Sequence, residues 1–139
     1  MVASSLRHAL TGAAFGLAAL LVGAPAQAQS DPAAGYPNKP IKLIVPFAAG
    51  GGNDIFARLV GAKASEYLGQ QFVIENRPAA GGRVAAEFVT QQPADGYTLF
   101  VGASGVMSIA AAIYPKLTYH PTKSFMPLAM IARFPLIMV

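Results

Sequence analysis

The chain has 139 residues, enough for about one domain. It contains no cysteine, which excludes disulfides and thiolate metal sites. Beyond residue 28, nine Lys and Arg stand against six Asp and Glu without a basic block, a pattern that does not point to nucleic acid.

Residues 1–28 read as a secretory signal peptide. Arg7 and His8 occur in a short start without acids, Leu10 to Gly23 is an apolar run, and Ala24-Pro25-Ala26-Gln27-Ala28 supplies small residues in an A-x-A arrangement. The run is shorter than the roughly 20 residues a spanning helix needs. No Cys follows it, so a lipid-modified N-terminus is excluded. The expected mature protein starts near Gln29 and is periplasmic. Residues 29–40, punctuated by Pro32, Pro37 and Pro40, form an extended lead-in.

An α/β domain is expected over 41–139. Ile41 to Val45 reads as a buried strand, and Pro46 to Asp54 as a glycine-rich turn. Asn53 or Asp54 can cap the helix that follows. In that helix Ile55, Phe56, Leu59, Val60, Ala62 and Tyr67 recur at helical spacing and form the expected core face, and Gly69 stops it. Phe72 to Glu75 is a second strand. Asn76 to Gly82 is a second glycine loop, and Val84 to Gln91 a short helix burying Val84, Ala85, Phe88 and Val89. Pro93-Ala94-Asp95-Gly96 is a turn before a third strand, Tyr97 to Val101. Gly102 to Gly105 is a third loop, Val106 to Tyr114 a further helix. Met126 to Ala132 and Leu136 to Val139 are expected strands.

Strands alternating with helices, each strand followed by a glycine-containing loop, describe a doubly wound sheet. Its three loops should gather at one edge. A glycine turn opening a helix leaves N–H groups free to hold an anion. The turn is neither a P-loop, since no Lys-Ser or Lys-Thr follows, nor G-x-G-x-x-G. That favours a carboxylate over a nucleotide, with a plain strand-to-helix turn as the bland alternative. A carboxylate at Asp54 would repel an anion, so its expected role is a helix cap and loop brace, while neutral Asn53 can donate directly. Ser104 or Ser108 can also donate. Arg77 and Arg83 flank the second loop and read mainly as solvated surface. His120 is the only His beyond residue 28, and neither a catalytic triad nor a metal set is present, so no cofactor and no enzymatic activity are expected.

Several segments together resemble the substrate-binding proteins of tripartite tricarboxylate transporters, the Bug family. They are Tyr36-Pro-x-Lys39-Pro40-Ile41, then Val45-Pro46-Phe47 through Gly50-Gly51 to Asp54, with Ala57-Arg58 and Leu68-Gly69-Gln70. Val73 to Pro78 with Gly81-Gly82, Pro93-x-Asp95-Gly96-Tyr97-Thr98-Leu99, Tyr114, Tyr119-x-Pro121 and Phe125-x-Pro127 complete the series. The resemblance implies a two-lobed periplasmic-binding-protein architecture of the Venus-flytrap kind, of which 41–139 is an incomplete first lobe. It implies a monomer that captures a small carboxylate and delivers it to membrane permease subunits. The family holds its ligand largely through cleft-loop backbone. The matching loops put forward Ala48, Gly50, Gly51, Asn53, Gly81 and Ser104 as ligand-binding residues, with Asp54 bracing.

Family members are considerably longer, so the chain reads as the front part of such a protein. Weak or no ligand binding is expected from it alone. Other readings stay open: a ligand-sensing receptor for a signalling partner, an enzyme acting on an anionic substrate, or a truncated remnant without function.

Overall fold

The computed structural model describes residues 34–133, together with Pro135 and Met138. The expected signal segment lies outside these residues. Three parallel strands form a sheet of order β2-β1-β3: β1 is Ile41–Val45, β2 is Phe72–Asn76 and β3 is Thr98–Phe100. β1 is the apolar run between prolines. It lies in the middle, with Leu43 opposite Ile74 on one side and Leu99 on the other. Four of its five side chains are buried, as a strand covered on both faces requires.

Helices cover both faces. α1 (Gly52–Leu68) packs Ala57 on Leu43 and Val45. On the opposite face Ala86 of α2 (Arg83–Thr90) joins a second cluster with Val106, Tyr119, Phe100 and Phe125. A 3₁₀ turn at Ala80–Gly82 precedes α2, and a π-helical turn at Gly105–Ile109 runs into the short α3 (Ala110–Ile113). Tyr119 is buried, and its hydroxyl donates to Val106 O at 2.7 Å. In the lead-in, the Tyr36 hydroxyl donates to Gly96 O at 2.8 Å, and Lys39 sits 4.2 Å over the Tyr97 ring. These contacts clasp the turn before β3.

Three expectations are corrected. The first is the buried face of α1. Ile55, Leu59 and Tyr67 point outward, at 57%, 60% and 87% exposure, whereas Asp54, Ala57 and Gly61 face the sheet. The helix stands too close for large side chains: a Cβ on Gly61 would lie 3.1 Å from Ile74 Cδ1 and 3.3 Å from Phe72 Cβ. Leu59→Gln should therefore change stability by less than about 0.5 kcal/mol in urea unfolding, as a surface substitution does, rather than the 2–5 kcal/mol of a core truncation.

The second is the inward face of α2. Ala85 and Ala86 are buried, while Val84 is exposed and Phe88 and Val89 are half-buried. The third is Met126–Ala132, which carries no regular structure. A strand needs a partner edge, and this segment pairs with none among the described residues. The expected strand at Leu136–Val139 falls outside the described residues apart from Met138.

Candidate functional site

Because all three strands run parallel, the loops after Val45, Asn76 and Phe100 lie at one edge of the sheet, at the carboxyl ends. From β1 the chain passes through α1 to β2 on one side, while β3 lies on the other. The loops after β1 and β3 therefore diverge, the topological switch point where open α/β sheets bind ligands. A cleft of about 510 Å³ opens there. Asn53 and Phe56 of α1 line one side of it, and Phe100, Val101 and Gly102 the sheet end. Residues 127–132, including Leu128, Met130 and Ile131, line the other side.

The glycine turn is built around Asp54. Gly51 precedes the helix in extended conformation and makes no side-chain cap bond, so neither Asn53 nor Asp54 is the N-cap. Asp54 lies in the first turn instead, 2% exposed, and reaches back. Its Oδ2 accepts from the Gly50 N–H at 2.8 Å and from Arg58 Nε at 2.9 Å, and its Oδ1 accepts from Asn76 Nδ2 at 2.9 Å. The Arg58 guanidinium, the Gly50 N–H and the Asn76 amide together hold this carboxyl well below the usual carboxylate range, against the opposing effect of desolvation. Its charge is thereby matched and its oxygens are engaged, which lessens the repulsion an acid would exert on an incoming anion.

The first helical bond runs from the Ile55 N–H to Gly51 O at 3.0 Å. The N–H groups of Gly52, Asn53 and Asp54 lie ahead of it, at the positive end of the helix dipole. They can hold a carboxylate oxygen. The lining of the cleft is otherwise mostly apolar, with Asn53 supplying the polar side chain.

Of the candidate ligand residues, the structure brings Asn53 to the cleft. Ala48, Gly50 and Gly51 form the exposed rim of the turn, and the Gly50 N–H is already taken by Asp54. Gly81 and Ser104 are exposed and do not line the cleft. The two arginines beside the second loop are engaged. Arg77 pairs with Glu75 at 2.6 Å and lies 3.6 Å over the Phe88 ring, and Arg83 lies 3.7 Å over the Tyr114 ring. His120 Nδ1 accepts from the Thr122 and Lys123 N–H groups in a local turn. Sequence reasoning missed Phe56, assigned to the core face of α1, and residues 127–132, read as strand. Their apolar character alone did not distinguish a cleft wall from a core.

Residues 56–139 match the model of the tripartite tricarboxylate transporter family receptors. BugT of Bordetella pertussis is 34% identical over 105 residues, 75% of this chain and 32% of its own length. Among solved structures, MatC from Rhodopseudomonas palustris with bound malate is 44% identical with a TM-score of 0.67, covering 69% of this chain and 33% of that one. The periplasmic binding protein BugD is 37% identical with a TM-score of 0.63, covering 66% of this chain and 30% of that one. The chain spans about a third of the length of the curated relatives it matches.

Proposed function

The chain belongs to the tripartite tricarboxylate transporter family of receptors, and we propose that it supplies one wall of a periplasmic cleft that captures a small carboxylate for a membrane permease. The observation that carries this reading is the cleft at the switch point, lined by Asn53 of the first turn of α1 and otherwise by mostly apolar walls. A carboxylate oxygen takes the N–H groups of Gly52 to Asp54, and the ligand's carbon chain lies against Phe56 and Phe100. Closing a second wall over the ligand expels water and strengthens these bonds, and the closed form is what a permease recognises. No bond is made or broken. That the relative MatC holds malate supports a dicarboxylate as ligand.

One wall leaves much of a ligand in water, so binding by the chain alone should be weak, at a Kd of about 1 mM or above, equivalent to about −4 kcal/mol. Amide NMR with added malate checks this. Shifts should concentrate at Gly51–Asp54 and Val101–Gly102 and saturate in the millimolar range. The diamide of malate, which lacks the charge, should produce none. Shifts centred elsewhere, or equal shifts with the diamide, would overturn the reading.

A further inference from the structure

We propose that Asn76, the last residue of β2, is the positioning residue that sets the shape of the glycine turn. The proposal rests on the reading of that turn as the anion-facing wall. One nitrogen of Asn76 makes two bonds, to Asp54 Oδ1 at 2.9 Å and to Phe47 O at 3.1 Å. The same amide's oxygen accepts from Arg58 Nη2 at 3.3 Å. The side chain thus ties the end of a neighbouring strand to the start of the turn, at Phe47, and to the first turn of α1, at Asp54. Asp54 in turn holds the middle of the turn through the Gly50 N–H.

The amide has one workable orientation. Turned over, its oxygen would face the Phe47 carbonyl and the Asp54 carboxylate, acceptor against acceptor. β2 is held in register beside β1 along its length, and the Arg77 N–H donates to Val45 O at 2.8 Å just beyond Asn76. Asn76 therefore projects from a rigid element, which is what a group that positions a loop requires. Around Asp54 the charged neighbour is Arg58. Glu75 and Arg77, adjacent to Asn76 in sequence, are paired with each other, with Arg77 over Phe88 of α2.

Asn76→Asp tests this in the full chain without ligand. It keeps the shape, removes both donations and sets a second carboxylate against Asp54. At pH 7 the Gly50 amide should exchange hydrogen about tenfold faster than in the parent, the size expected when the bond holding it is lost, while amides in the middle of β1 stay unchanged. On acidification towards pH 4 the new carboxyl, its proton affinity raised by Asp54 against the opposing pull of Arg58, gains a proton and can donate once more, to Asp54. The ratio of variant to parent exchange at Gly50 should then fall back towards one. Asn76→Thr, a good strand former whose hydroxyl sits on Cβ, one bond short of the Asn nitrogen, should speed Gly50 exchange at every pH without that recovery. It also serves if the acidic variant does not fold. Unchanged Gly50 exchange in either folded variant, or equal acceleration throughout β1, would overturn the proposal. Neither result bears on whether the cleft takes a carboxylate, which the malate titration decides separately.

Discussion

Gly82→Ala is expected to cost about 3 kcal/mol or more, a large part of the 5–15 kcal/mol that holds a domain together. Two effects coincide at this residue. Its φ is +89°, in the left-handed region where a side chain adds about 1–3 kcal/mol of strain. A Cβ there would lie 2.6 Å from Val106 Cγ2 and 2.7 Å from Pro46 Cβ, closer than real carbons pack. Overpacking of this kind costs about 1–3 kcal/mol more. Val106 is fully buried and Pro46 opens the first glycine turn, so neither can withdraw without moving the carboxyl edge of the sheet. The adjacent glycine is the control. Gly81 also has positive φ, +66°, but open space where a Cβ would go, so Gly81→Ala should lose only about 1–2 kcal/mol. Thermal unfolding should show a drop on the order of 10 °C or more for the first and several degrees for the second. Equal drops would show that the junction of Pro46, Gly82 and Val106 is looser than the distances imply.

That junction also shows what is legible in a sequence and what is not. β1 announces itself because a strand buried on both faces must be apolar almost throughout, and Ile41 to Val45 has prolines on either side. The parallel order of strands and the gathering of loops at one edge follow from the alternation of strand and helix. The inward face of α1 does not show in the sequence, since it rests on Ala57 and Gly61, whose small size carries the close approach and gives no hydrophobic signal. The larger residues beside them look like a core stripe and lie outside. The role of Gly82 is equally hidden: a glycine in a loop reads as freedom, whereas here it marks two neighbours less than 3 Å from an absent carbon. Asp54 stood out by its place after the glycines. Its partner Asn76 is 22 residues away and meets it only because β2 pairs beside β1 in a particular register.

Asp54→Asn should produce the other large effect, with a dependence on pH that identifies its cause. The carboxylate receives three hydrogen bonds, one of which is also the ion pair with Arg58. The amide that replaces it must turn its NH2 towards the Gly50 N–H and Arg58 or towards the Asn76 amide, donor against donor in either case. The variant is therefore less stable at pH 7, and the glycine turn loses its brace. The sign of the pH effect follows from the direction of the shift. Asp54 is held below its ordinary value near 3.8, so its contribution is complete above that value. The contribution then erodes as pH falls below about 4 towards the folded-state value, where the carboxyl gains its proton. Asp95 is also lowered, through the Tyr97 N–H and Lys39, but it is present in both proteins and cancels in their difference. Urea unfolding of parent and variant should thus show a gap that is wide and constant from pH 7 to about 5 and narrows by pH 3. A gap independent of pH would mean that shape rather than charge is what Asp54 contributes. The network joining Arg58, Asn76 and Gly50 would then hold the turn by packing alone.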